Sequence, residues 1–122
     1  KAKKELTACI QAAADRAERI VVATHVLPDR HLVTQAHRLD ADRGVEARFQ
    51  DAFMGSERLG DAIRQYPGVV RVVAGHLHQP VQWRSAGQEN EIVWEISPVG
   101  YPREASLPLQ EHLDERLRVV EL

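Results

Sequence analysis

The feature that most constrains this chain is the apolar run Val69 to Ala74, which ends at Gly75 and is followed by His76 and His78. An apolar run of this length, bounded by turn residues, predicts a short buried strand. In an extended or tightly turned segment, residues two apart can point the same way, so both imidazoles can face one pocket. Strand ends with polar side chains are common places for chemistry. His-x-His alone is a weak signal, and a loop with two surface histidines explains it equally well.

A second predicted strand is also followed by a histidine. The β-branched run from Ile20 to Ala23 predicts a first strand, which we expect to be buried on both faces. His25 follows this run, and Pro28 comes shortly after it. Taken alone, His25 is better explained as a loop histidine bonded to the backbone. Two strand ends can, however, meet along one edge of a sheet, so His25 and the histidines after Ala74 together predict a shared site.

The other elements follow from hydrophobic spacing. Apolar residues at three- and four-residue steps predict a helix over residues 2–18, in which we expect Cys9 to be buried. A second helix is predicted over residues 57–66, directly before the strand that leads to the histidine pair. Residues 105–116 show no regular pattern, and residues 117–122 predict a final strand.

A β-hairpin is predicted after the histidine pair. Residues 81–85 and 91–96 alternate in polarity, and the residues between them are typical of a turn. Trp83 and Trp94 lie one on each predicted strand. Cross-strand or core packing explains them better than a ligand-binding role does.

Composition restricts the class of protein. The length of 122 residues fits a single domain, which we expect to span residues 1–122. The net charge of -2 gives no signature of a nucleic-acid or membrane-surface partner. No apolar run is long enough to cross a bilayer. The single cysteine excludes an internal disulfide and favours a cytoplasmic location.

Four motifs follow one another along the chain. They are Thr24-His25-Val26-Leu27-Pro28, Ala52-Phe53-Met54-Gly55-Ser56, Gly75-His76-Leu77-His78 and Gly100-Tyr101-Pro102-Arg103-Glu104. In order and spacing, over about residues 19–104, they resemble the C-terminal half of a calcineurin-like metallophosphoesterase. Gly-His-x-His at a strand end is that family's last signature, and the lone histidine before a proline is its penultimate one. The resemblance implies an α/β fold that is half of a four-layer α/β/β/α metallophosphoesterase sandwich.

The resemblance also implies a site for two divalent transition metals, for which Mn, Fe, Zn and Ni are all suitable. Carried over residue by residue, His25 and His76 would bind one metal and His78 would bind the other. Arg103 would bind the substrate phosphate as a fork-shaped donor, although an ion pair with Glu104 explains this arginine at least as well. No protein side chain is implied as a nucleophile, because two metals about 3.5–4 Å apart can supply a hydroxide for in-line attack.

The chain departs from the family pattern in its missing signatures. Gly-Asp-x-x-Asp and Gly-Asn-His-Asp/Glu do not occur, and no Asp-x-His precedes His25. Gly60-Asp61 is not the first of these motifs, because no second aspartate follows and the pair lies in a predicted helix. The chain also begins with Lys1 rather than methionine. We therefore expect it to be a fragment, or the ordered half, of a longer hydrolase, and to be inactive by itself.

Two functions from different classes follow. In the first, the intact parent is a metal-dependent phosphoesterase that hydrolyses phosphate mono- or diesters with a metal-bound hydroxide. In the second, the chain is a non-catalytic metal-binding or protein-interaction module that retains the family half-fold. In either case the missing N-terminal half, or a partner chain, would cover an exposed sheet face. The isolated chain is accordingly expected to be marginally stable or associated.

Overall fold

A computed structural model describes residues 1–29, 31–32, 57–76, 80–98, 106–117 and 119–121. These residues form a mixed α/β fold with a four-stranded, mostly parallel sheet and three helices. The elements in chain order are α1 (Ala2–Ala14), β1 (Ile20–Thr24), α2 (Glu57–Arg64), β2 (Val69–Ala74), β3 (Val81–Ala86), β4 (Glu91–Ile96) and α3 (Leu109–Arg116). Among the described residues, no helix is both long enough and apolar enough to cross a membrane.

The strand order in the sheet is β1-β2-β4-β3. Strands β1 and β4 both run parallel to β2, so the carboxyl ends of these three strands meet at one edge of the sheet. Strand β3 is antiparallel to β4, which confirms the predicted hairpin. Trp83 and Trp94, for which cross-strand or core packing was predicted, are direct cross-strand partners in that hairpin.

One face of the sheet carries the hydrophobic core. Val22, Val72 and Trp94 are neighbours across three strands, and all three side chains are buried. Helix α1 contributes Ile10 to this core, and α2 contributes Ile63. Burying an apolar side chain of this size stabilises the folded state by about 1.5–3 kcal/mol. This layer therefore holds the strand ends in place.

Strand β1 is buried on one face only, so the prediction that both faces are buried is wrong. Ile20 and Val22 lie in the core, whereas Val21 is 43% exposed and Ala23 is also exposed. The strand lies at the edge of the sheet. An apolar run has the same composition whether one or both of its faces are covered, so the sequence pattern does not distinguish the two cases.

Helix α1 is shorter than the predicted span of residues 2–18, because it ends at Ala14. The stripe of Leu6, Ile10 and Ala13 packs against the core. Cys9 is exposed, so the expectation that it is buried is also wrong. Its position beside the apolar stripe, rather than within it, accounts for the difference.

Helix α3 was not predicted, since residues 105–116 have no regular apolar pattern. His112 is its only buried residue, which explains why hydrophobic spacing fails to reveal it. The described part of residues 117–122 contains no strand, contrary to the prediction. Leu113 and Asp114 of this helix border a cavity of about 510 Å³ on the face of the sheet opposite the core.

That opposite face also contains a buried ion pair between two neighbouring strands. Arg71 Nη1 lies 2.9 Å from Glu95 Oε2, and the side chains are 18% and 6% exposed. Removing one member of a buried pair leaves the other charge uncompensated, which costs about 3–5 kcal/mol when both are fully buried. Because Arg71 retains some contact with water, we expect Glu95→Ala to lower the free energy of unfolding by about 2 kcal/mol.

The chain offers a matched control for this substitution on the same strand. Glu91 pairs with Arg84 at 2.7 Å, but both side chains are more than half exposed. We expect Glu91→Ala to change the free energy of unfolding by less than about 1 kcal/mol. Urea denaturation of both variants measures the two values, and equal losses would contradict the assignment of a buried pair to Glu95.

Candidate functional site

Two of the predicted ligands lie side by side at the carboxyl edge of the sheet. His25 directly follows β1, and His76 follows β2 after Gly75. The centroids of the two imidazole rings are 5.3 Å apart, and the ring planes meet at 80°. The backbone N–H of Gly75 donates to the carbonyl oxygen of Thr24 at 2.9 Å, which ties the two strand ends together. The parallel pairing of β1 and β2 thus brings these side chains into one place.

Both histidines reach the surface, and their separation suits a shared ion. Two imidazole nitrogens that bind one ion at about 2.0–2.1 Å place the ring centres roughly 5 Å apart, close to the observed separation. Imidazole is a good ligand for first-row transition metals. Within the described ranges, however, no group of three or more His, Cys, Asp or Glu side chains could hold a metal. The donor set that the structure describes is therefore a pair of imidazoles.

The backbone of His76 is in the left-handed region, with φ of 72°. In the part of the chain that the structure describes, it is the only residue other than glycine with a positive φ. Gly75 lies outside that region, so the histidine, and not the glycine before it, adopts the left-handed conformation. For an L residue this conformation costs about 1–2 kcal/mol. Backbone strain of this kind is typical of functional sites, where the surrounding structure holds a residue in an unfavourable conformation.

This backbone predicts an order of stabilities at residue 76. Glycine adopts a positive φ without steric cost, whereas alanine keeps the Cβ atom that clashes there. We therefore expect His76→Gly to have a free energy of unfolding about 1 kcal/mol higher than that of His76→Ala. Urea denaturation of the two variants measures the difference.

His25 provides the control for this prediction, because its φ is not positive. At such a position glycine is less favourable than alanine by about 0.5–1 kcal/mol. We accordingly expect His25→Ala to be more stable than His25→Gly. The same order at both positions would contradict a role for the left-handed backbone of His76.

Other predicted site residues lie outside the described residues. These are His78, which was assigned to the second metal, and Arg103, which was assigned to the substrate phosphate. The motifs at residues 52–56 and 100–104 also fall outside. Gly60 and Asp61 lie within α2, as the sequence indicated.

A second polar cluster, which the sequence analysis left out of the site, is centred on Asp29. The Asp29 side chain is only 4% exposed, and its Oδ1 accepts the backbone N–H of His31 at 2.7 Å. The same oxygen lies 3.0 Å from Nδ1 of the His31 ring. The other oxygen, Oδ2, accepts a hydrogen bond from Arg64 of α2. The Arg64 guanidinium in turn lies 4.7 Å from the centre of the Trp94 ring.

The sequence did contain a signal for this cluster, because Asp29-Arg30-His31 has Asp-x-His spacing. It lies after His25, whereas in the metallophosphoesterase pattern Asp-x-His comes first. Both oxygens of Asp29 are already engaged, one by His31 and the other by Arg64. This aspartate is therefore not a free bridging ligand for a pair of metals.

The His31 ring is held by a second contact. It stacks on the indole of Trp83, with the ring centroids 4.2 Å apart and the planes inclined by only 8°. The His31 side chain is nevertheless 51% exposed. The imidazole is therefore fixed in its plane by Asp29 and across its plane by Trp83, while part of it faces solvent.

Comparison of the chain with models of protein families, with curated proteins and with solved structures finds no match. The function of the chain is therefore inferred from the four sequence motifs and from the geometry of the two described clusters.

Proposed function

We propose that this chain is the C-terminal half of a calcineurin-like, metal-dependent phosphoesterase, with half of a four-layer α/β/β/α sandwich as its fold. One observation carries the proposal: the rings of His25 and His76 lie 5.3 Å apart at the ends of adjacent parallel strands. These histidines are 51 positions apart in sequence, and each belongs to a different motif of the resemblance. A shared metal would require the two imidazole rings to lie this close together.

Each residue of the proposed site would have a separate role. His25 and His76 would hold one divalent metal, His78 would hold the second, and Arg103 would bind the phosphate as a fork-shaped donor. When bound, the metals polarise the phosphate and lower the pKa of a coordinated water, so that hydroxide is available near neutral pH. The paired strand ends fix the separation of the first two rings. Carboxylate ligands would have to come from the family's earlier signatures, which do not occur in these 122 residues.

Two observations favour the alternative, a non-catalytic metal-binding or protein-interaction module. Within the described residues, the donor set amounts to only two imidazoles. In addition, several apolar side chains are exposed, and a covering chain would bury them. They are Val21, Leu109, Leu113, Leu117, Val119 and Val120.

Metal depletion and repletion of the full-length protein separates the two functions. The protein is treated with a chelator, supplied with Mn²⁺, Fe²⁺, Zn²⁺ or Ni²⁺ in turn, and assayed on a phosphate monoester and a diester. We expect hydrolysis to disappear on chelation and to return with at least one of these metals. Metal binding without hydrolysis would favour the module, and the absence of metal binding would overturn the proposal.

A further inference from the structure

His25 lies just beyond the paired part of β1. The last strand pair between β1 and β2 joins Thr24 to Ala74. The backbone N–H of Gly75 also donates to the carbonyl oxygen of Thr24, which holds the peptide group before His25. His25 itself is in a bend that follows the strand. Strand pairing therefore fixes where this bend begins, but it leaves open the direction in which the His25 side chain points.

The side chain of Thr24 closes the bend. Its hydroxyl Oγ1 donates to the carbonyl oxygen of Val26 at 2.8 Å. Local bonds of this kind, from a threonine hydroxyl to the backbone two residues away, determine the shape of a turn. Thr24 thus holds the backbone after His25, while Gly75 holds the backbone before it. Together the two bonds set the direction of the bond from Cα to Cβ in His25.

Satisfying the Val26 carbonyl does not by itself explain the bond. Val26 is at the surface, with 36% of the residue exposed. Water can satisfy a backbone carbonyl that is not buried. What the Thr24 hydroxyl provides, and water does not, is a fixed shape of the bend around His25.

The location of the His25 ring depends on that shape. A Cβ atom built on Gly75 would lie 3.4 Å from Nδ1 of His25, so the ring lies against the residue that precedes His76. The ring centroids of the two histidines are 5.3 Å apart. Side chains that bind one ligand together must be held within about 0.5 Å of the productive geometry, and supporting hydrogen bonds are a usual means of doing so.

We propose that Thr24 is a positioning residue for His25: its hydroxyl holds the bend so that the imidazole already lies beside the ring of His76 before a metal arrives. Thr24 acts through the backbone and not as a metal ligand, since its hydroxyl proton is donated to Val26. The proposal rests on the phosphoesterase function, because it concerns the metal site of that function.

The test compares three variants of the chain. Thr24→Val removes the hydroxyl and keeps the branched shape, whereas Thr24→Ser keeps the hydroxyl. Thr7→Val is the matched control, because Thr7 Oγ1 also donates to a backbone carbonyl oxygen at 2.8 Å, in helix α1. Two quantities are measured for each chain. They are the nuclear Overhauser effect between the two imidazole rings without metal, and the affinity for Zn²⁺ by calorimetric titration.

We expect Thr24→Val to weaken the effect between the rings and to lower the affinity for Zn²⁺ by about tenfold, the lower end of the range for partners that support a metal-binding histidine. Thr24→Ser and Thr7→Val are expected to retain both quantities. A loss of overall stability alone would leave the contact between the rings unchanged in the folded molecules, so this measurement separates positioning from a purely structural role.

Three results decide between the possibilities. Unchanged values in Thr24→Val, with Zn²⁺ bound by both rings of the unmodified chain, would overturn the role of Thr24 alone. Equal losses in Thr24→Val and Thr24→Ser would also overturn it, since the hydroxyl would not be responsible. If the unmodified chain bound no Zn²⁺, the phosphoesterase proposal would fail, and the effect between the metal-free rings would still decide whether Thr24 positions His25.

Discussion

Replacing His76 with glycine is expected to remove divalent-metal binding and, in the full-length protein, phosphate-ester hydrolysis. The loss of a partner that merely supports a metal ligand typically costs 10–100-fold in affinity or activity. Because His76 is assigned as a ligand itself, we expect a decrease of more than about 100-fold in both quantities. Glycine is the appropriate replacement, since it accommodates the φ of 72° at this position. The loss can then be attributed to the imidazole and not to the backbone.

Two further variants make this result specific. His25→Ala removes the other ring of the pair and is expected to produce a loss of similar size, because both rings would bind the same ion. Gln82→Ala changes an exposed side chain on β3 and should leave metal affinity and turnover unchanged. Calorimetric titration with Mn²⁺ and initial-rate measurements give the two values. If His76→Gly kept full activity and a normal thermal transition, the assignment of His76 as a metal ligand would be wrong.

Replacing Gly60 with alanine is expected to lower the free energy of unfolding by about 3 kcal/mol. A Cβ atom at this position would lie 2.3 Å from the carbonyl oxygen of Pro28, which is backbone and has no side-chain freedom with which to move away. In an unobstructed helix the same change is stabilising by roughly 0.5–1 kcal/mol. The sign of the effect is therefore opposite to that expected from helix propensity.

The Gly60 prediction concerns the site as well as the fold. Pro28 precedes Asp29, and Asp29 accepts a hydrogen bond from Arg64 on the same helix as Gly60. A displaced helix would disturb that bond. Arg58→Ala, at an exposed position of α2, serves as the control and should change stability by less than about 0.5 kcal/mol. A Gly60→Ala variant at least as stable as the unmodified chain in urea would refute the close contact.

The elements that were predicted correctly have strong local patterns. The apolar run Val69–Ala74 forms β2 with the predicted bounds, and the alternating segments form the hairpin of β3 and β4. The meeting of His25 and His76 follows from parallel pairing of two strands that each end in a histidine. Periodicity within short segments was sufficient to predict these features. Once β1 and β2 are predicted as strands, their parallel pairing places the two histidines together.

The features that were missed depend on contacts between distant parts of the chain. The bond between Asp29 and Arg64 joins residues 35 positions apart, and no local pattern marks it. The exposure of one face of β1 depends on the position of this strand at the edge of the sheet. Helix α3 buries only His112, so it has no apolar stripe that could be recognised in advance.

The most direct test of the central claim is a titration of the chain with Zn²⁺, followed by NMR of the imidazole nitrogens. If His25 and His76 bind one ion, a nitrogen signal of each ring shifts over the same range of zinc concentration. In His76→Gly, the His25 signal should then respond only at much higher zinc concentration. Independent responses of the two rings, or a His25 response that is unchanged in His76→Gly, would contradict a shared metal site.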